Sequence, residues 1–83
     1  MTDDDLLTYW PALGIVAVEL RRIGHPAAAS QLLNAVRSGA TSGEILGEVG
    51  QVLRAHFALR KTLDGPTRLV WDSIVSDARK AFP

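Results

Sequence analysis

Thr41-Ser42-Gly43-Glu44-Ile45-Leu46 is the stretch on which the reading of this chain turns. A hydroxyl residue stands three positions before a glutamate, and an apolar pair follows. That is the pattern of a capping box opening an amphipathic helix. Beyond it Leu46, Val49, Leu53 and Phe57 recur at spacings of three and four, one face of a helix. The spacing predicts a helix to about Leu63, roughly 33 Å long at 1.5 Å per residue. Asp64-Gly65-Pro66 closes it and opens a further helix to about Phe82. Trp71, Val75, Ala78 and Phe82 share one face of that last helix.

Upstream, Ser38-Gly39 stops a helix that starts at Pro26, the favoured first helical position. Leu32, Leu33 and Val36 form its apolar stripe, and His25 precedes it as a candidate cap. Gly24 separates it from a first segment running from about Asp3 to Ile23, with Thr2 and Asp5 spaced as an N-cap and its reciprocal acid. Pro11 falls inside that segment. A mid-helix proline removes a donor and clashes with the preceding turn, at a cost of about 3 kcal/mol. The segment therefore breaks, with Thr8 capping a new helix, or it kinks; the break is the better solution. Gly14-Ile15-Val16-Ala17-Val18 could pass for a buried strand, but no second strand exists to pair with it. With short loops between helices, the expected fold is a single all-α domain over 1–83. Its expected form is a small antiparallel up-and-down four-helix bundle with a proline-broken or kinked first helix.

Composition agrees. Of the 83 residues 47% are hydrophobic, which excludes a disordered chain, and Ala, Leu, Val and Ile supply nearly all of them. No cysteine is present, so disulfides and thiolate chemistry are excluded. The start is acidic, Asp3-Asp4-Asp5, and no apolar run approaches about 18 residues. A soluble, cytoplasmic protein without a membrane segment is the expectation. The formal net charge of zero hides an asymmetry: residues 1–50 carry three basic and six acidic residues, and residues 51–83 six basic and three acidic.

Two features bear on function. The segment holding Leu13, Ala17 and Leu20 also carries Ile15, Val16, Val18 and Ile23, so it is apolar nearly all round. Such a helix requires burial on every side. Either the N-terminal turn covers its far side, or the surplus is an association surface. Trp10, Ile15, Val18 and Leu59 are the candidate interface residues. In the helix after Thr41, Gly43, Gly47 and Gly50 share one narrow face, at a cost of about 1 kcal/mol for each interior glycine against alanine. Three such glycines point to close helix packing, with the first two helices or another chain as the candidate neighbours.

The candidate chemistry is thin. His25 and His56 lack a partner His or Glu at metal-helix spacing, so neither a metal nor a cofactor is expected. Ser30, Ser38, Ser42, Ser73 and Ser76 fall at cap or surface positions, and nothing places two of Glu19, Glu44, Glu48, Asp72 and Asp77 in a pocket. The chain therefore reads as a non-enzyme. Arg54, Arg60, Lys61 and Arg68 could gather as nucleic-acid contacts, but no phosphate loop or helix-turn-helix pattern accompanies them.

The run Gly24, Ala28, Leu32-Leu33, Ala35-Val36 and Ser38-Gly39-Ala40-Thr41-Ser42-Gly43-Glu44-Ile45-Leu46 resembles a pattern in small uncharacterised bacterial helical proteins. The resemblance spans roughly residues 20–57, and some such proteins are considered candidate immunity or accessory proteins of bacterial toxins. It implies a helical fold and a heterologous protein partner. From the residues themselves the leading expectation is a non-catalytic protein-interaction module, self-associating as a homodimer. Toxin neutralisation is the alternative, and nucleic-acid binding comes after it.

Overall fold

The structure is a computed structural model, describing residues 1–82. It is all-helical, with no strand among the described residues. Five α-helices, α1 (Asp3–Tyr9), α2 (Pro11–Arg22), α3 (Pro26–Ser38), α4 (Ser42–Ala55) and α5 (Gly65–Ala81), are joined by a 3₁₀ helix over Phe57–Thr62. The expected four helices thus become six, for two local reasons.

The first reason is Pro11. α1 begins on the expected box: the Thr2 N–H donates to the Asp5 carboxylate at 2.9 Å, and the Asp5 N–H to the Thr2 hydroxyl at 3.2 Å. It ends at Tyr9, and Pro11 takes the first position of α2, where its missing N–H is no loss. Trp10, at φ −142° and ψ 83°, is the joint. Thr8 does not cap α2 as expected. It stays inside α1, and its hydroxyl donates to the Asp4 carbonyl at 3.2 Å. The break turns α1 back along α2, so that Leu7 lies on Gly14 and Asp3 meets Arg21.

The second reason lies at His56. The α-helix that should reach Leu63 stops at Ala55, and the chain tightens into i→i+3 bonds. The Leu59 N–H donates to the His56 carbonyl at 2.9 Å, and the Leu63 N–H to the Arg60 carbonyl at 3.1 Å. At 100° per residue an unbroken α-helix would set Leu63 about 80° round from Leu53. The tighter segment instead brings Leu63 into the core at 2% exposed and leaves Phe57, expected on the core face, 66% exposed.

Three helix starts have side-chain caps. Thr2, Thr41 and Asp64 have ψ of 172°, 161° and 167°, and each side chain accepts from the N–H three residues on. The Glu44 carboxylate accepts from the Ala40 N–H, one residue before the cap. His25 stands at the N-cap position of α3 but makes no side-chain cap bond; its ψ of 58° does not have the extended geometry of the other three. Gly24 before it, at φ +95°, allows the reversal between α2 and α3 that a side chain would strain.

The packing closes on itself: α2 lies on α3, α3 on α4, α4 on α5, and α5 on α2, with α1 laid against α2. Ascending positions of α4 meet descending positions of α5, Gly47 against Phe82 and Gly50 against Ala78. The His56 ring bonds to Gln31 of α3 at 2.6 Å. Leu6, Leu13, Leu20, Leu32, Leu53 and Trp71 fill the centre, each at most 1% exposed. Burying a side chain of this size contributes about 1.5–3 kcal/mol. Ile74, which the reading of α5 passed over, is buried too, whereas Phe82 from its expected face is 48% exposed.

Candidate functional site

The outer face of α2 is one of the places where packing leaves large apolar side chains exposed; Leu69 of α5 and Phe57 are others. Gly14, Ala17 and Leu20 are buried, because α1 covers one flank and the core the other. Pro11, Ile15, Val18 and Arg22 fall within a narrow arc at 100° per residue, and all four are exposed. Ile15 is 45% exposed and Val18 38%. Covering by the N-terminal turn is therefore real but partial. The ridge is bounded by ion pairs: Arg22 with Glu19 on α2 itself, and Arg21 with Asp3 of α1 at 2.8 Å. The Arg22 hydrogen bond holds the Glu19 carboxyl below its usual range. Trp10 and Leu59, the other two candidate interface residues, are half-buried and pack against the core.

The glycine stripe faces α5 rather than the first two helices. A Cβ at Gly50 would lie 2.6 Å from the Ala78 Cβ, and one at Gly47 3.2 Å from the Phe82 ring. A Cβ at Gly43 would meet Phe82 only at an ordinary 3.8 Å. Gly14 is a further close approach, with the Leu7 Cα 2.7 Å from its would-be Cβ. A short-range pattern could not have flagged it, because its partner comes from the far side of the Pro11 break.

Three of the four candidate nucleic-acid residues, Arg60, Lys61 and Arg68, adjoin one another at the 3₁₀ segment, and most of their bonds are internal. Arg60 is held by Asp72, through bonds of 2.7 and 2.6 Å, and its guanidinium keeps the Asp72 carboxyl below its usual range. Arg68 donates to the carbonyls of Arg60, Lys61 and Leu63, closing the end of the 3₁₀ segment. Arg54 bonds back to the Gly50 carbonyl at 3.3 Å, and exposed Lys61 enters these bonds through its backbone carbonyl.

Several clefts open on this scaffold, and two of them bear on the residues above. One, of about 290 Å³, lies between α4, the 3₁₀ segment and α5, with Arg54, Phe57 and Arg79 on its walls. The other, of about 370 Å³, opens at the α1–α2 joint. Tyr9, Trp10, Ser42, Ile45, Leu46 and Asp77 line it. Sequence reasoning missed this second cleft. Its one legible signal was the aromatic pair Tyr9-Trp10 placed directly before a helix-breaking proline. Among the described residues no group of three His, Asp or Glu could hold a metal ion, and no helix is long and apolar enough to cross a membrane. Comparison with protein-family models, with curated proteins and with solved structures gave no match.

Proposed function

We propose that the protein is a non-catalytic interaction module that self-associates through the outer ridge of α2. The carrying observation is the joint exposure of Ile15 and Val18 on a helix whose other faces are already occupied. A second copy suits the ridge on two grounds. The net charge of zero removes long-range repulsion between copies. A helix ridge can also meet itself about a two-fold axis, the commonest symmetry of soluble oligomers.

Size constrains the pairing. A standard interface covers about 800 Å² per partner, about a sixth of this protein's 4720 Å² surface. The contact must therefore extend beyond Ile15 and Val18, onto Pro11 and the aliphatic stem of Arg22.

Sedimentation equilibrium over a hundredfold concentration range tests the reading. The wild type should shift toward twice the monomer mass, and an Ile15→Gln/Val18→Gln variant should stay monomeric with unchanged helicity. A wild type that is monomeric throughout would remove self-association and leave the ridge to a heterologous protein. Among such partners is a toxin of the kind the sequence resemblance suggests.

A further inference from the structure

The cleft at the α1–α2 joint brings three kinds of wall together. Tyr9 and Trp10 contribute aromatic surface, Ile45 and Leu46 of α4 an apolar one, and Asp77 of α5 a carboxylate. Its volume, about 370 Å³, falls within the roughly 300–1,000 Å³ usual for small-ligand sites. Asp77 enters no ion pair among the described residues.

Each wall narrows the ligand class. An anion would face the Asp77 carboxylate. A neutral apolar molecule would strip water from the carboxylate without replacing its charge partner. A hard metal cation wants about six or more oxygen ligands, several of them charged, and the side chains here offer one carboxylate and the hydroxyls of Ser42 and Tyr9. A cation clothed in alkyl groups satisfies all three walls: its charge is attracted by the carboxylate and by the aromatic quadrupoles, and its methyl groups bury against Ile45 and Leu46. We propose that this cleft binds an organic ammonium group, with Tyr9 and Trp10 against its alkyl substituents and Asp77 balancing its charge. The group can be carried by a free quaternary amine or by a methylated lysine side chain; the recognition chemistry is the same.

The test is a titration of the isotope-labelled full chain with choline, and separately with N-acetyl-trimethyl-lysine amide, followed by heteronuclear NMR. It is run at a protein concentration where sedimentation shows a single species, so that its result does not depend on the α2 ridge. The Trp10 indole N–H reports the cleft, and the Trp71 indole, 1% exposed, serves as internal reference. At least one cation should shift the Trp10 signal saturably while Trp71 stays still, and the tighter of the two identifies the source. 3,3-Dimethylbutanol, the uncharged isostere of choline, should bind at least about tenfold more weakly than choline wherever choline binds. Asp77→Asn should weaken the better cation about tenfold, and Tyr9→Leu should weaken it severalfold. Both replace exposed side chains, and unchanged thermal melts would establish that the variants are folded. Absence of a saturable Trp10 shift with either cation, or equal affinity for the isostere, would overturn the proposal.

Discussion

α2 and α3 are neighbours of nearly equal length, 12 and 13 residues, and both start on a proline without a side-chain cap. Both have an apolar inner face buried in the core. Their outer faces are not alike. α3 shows Ala27, Ser30, Gln31, Asn34 and Arg37 to solvent, whereas α2 shows Pro11, Ile15, Val18 and Arg22. The core needs only one stripe per helix, and α3 demonstrates how such a helix is finished when nothing else is asked of it. The branched side chains on the outside of α2 are surplus to the fold, which makes them the place to look for a partner.

The largest effects should treat the two helices alike. Leu13→Ala in α2 and Leu32→Ala in α3, both at residues 0% exposed, should each cost about 2–5 kcal/mol in urea unfolding. A loss below 1 kcal/mol at either site would break the equivalence of the inner faces.

Next comes an asymmetry, since only α2 has a helix folded back on its flank. Gly14→Ala should cost about 1–3 kcal/mol, because the new methyl meets the Leu7 backbone, which cannot move aside as a flexible side chain could. A neutral or stabilising result would mean that α1 does not sit on α2 as described.

The starts of the helices sharpen the contrast further. Thr41→Ala should cost about 1 kcal/mol by removing the α4 cap, while His25→Ala at the uncapped start of α3 should stay within about 0.5 kcal/mol. Converting the α2 ridge to the chemistry of α3, with Ile15→Gln and Val18→Gln, should change monomer stability by no more than about 0.5 kcal/mol per site. The readout there is association, and a large loss of stability would show that the ridge belongs to the core.

Acid should distinguish the two helices last and least. α3 contains no carboxylate, whereas α2 holds Glu19, and α1 against it holds Asp5. Hydrogen bonds from Arg22 and Thr2 keep these two groups below their ordinary values of 4.5 and 3.8. A carboxyl with a depressed folded value stabilises above its unfolded value, and that contribution fades as pH falls through the folded one. Amide protection in α1 and α2, measured against the intrinsic exchange rate at each pH, should therefore fall below about pH 4 before it does in α3. A uniform loss of protection along the chain would contradict this.

Much of the fold was legible because its punctuation is local. The Thr2 and Thr41 caps, the prolines at 11, 26 and 66 and the glycine at 24 act within a few residues, and the helix starts follow from them. The end of α4 was not legible. Phe57 continues the periodicity of Leu46, Val49 and Leu53, and the 3₁₀ segment goes with the burial of Leu63, a matter of tertiary packing that local periodicity does not carry. The α2 ridge was visible as an excess of apolar residues. The neighbouring cleft was not, because Asp77 reaches it from more than sixty positions along the chain.

The meeting of α5 with α2 also orders events in time. The other main helix pairings join elements that are adjacent in sequence or, for α4 and α5, separated only by the 3₁₀ helix, so they close shorter loops. The seam between α2 and α5 closes the longest loop among these pairings and requires most of the chain to be in place. Tyr9, Trp10 and Asp77 meet only when that seam is shut. A ligand held among them would bind the finished molecule and not its precursors, and it would raise the unfolding midpoint as its concentration increases.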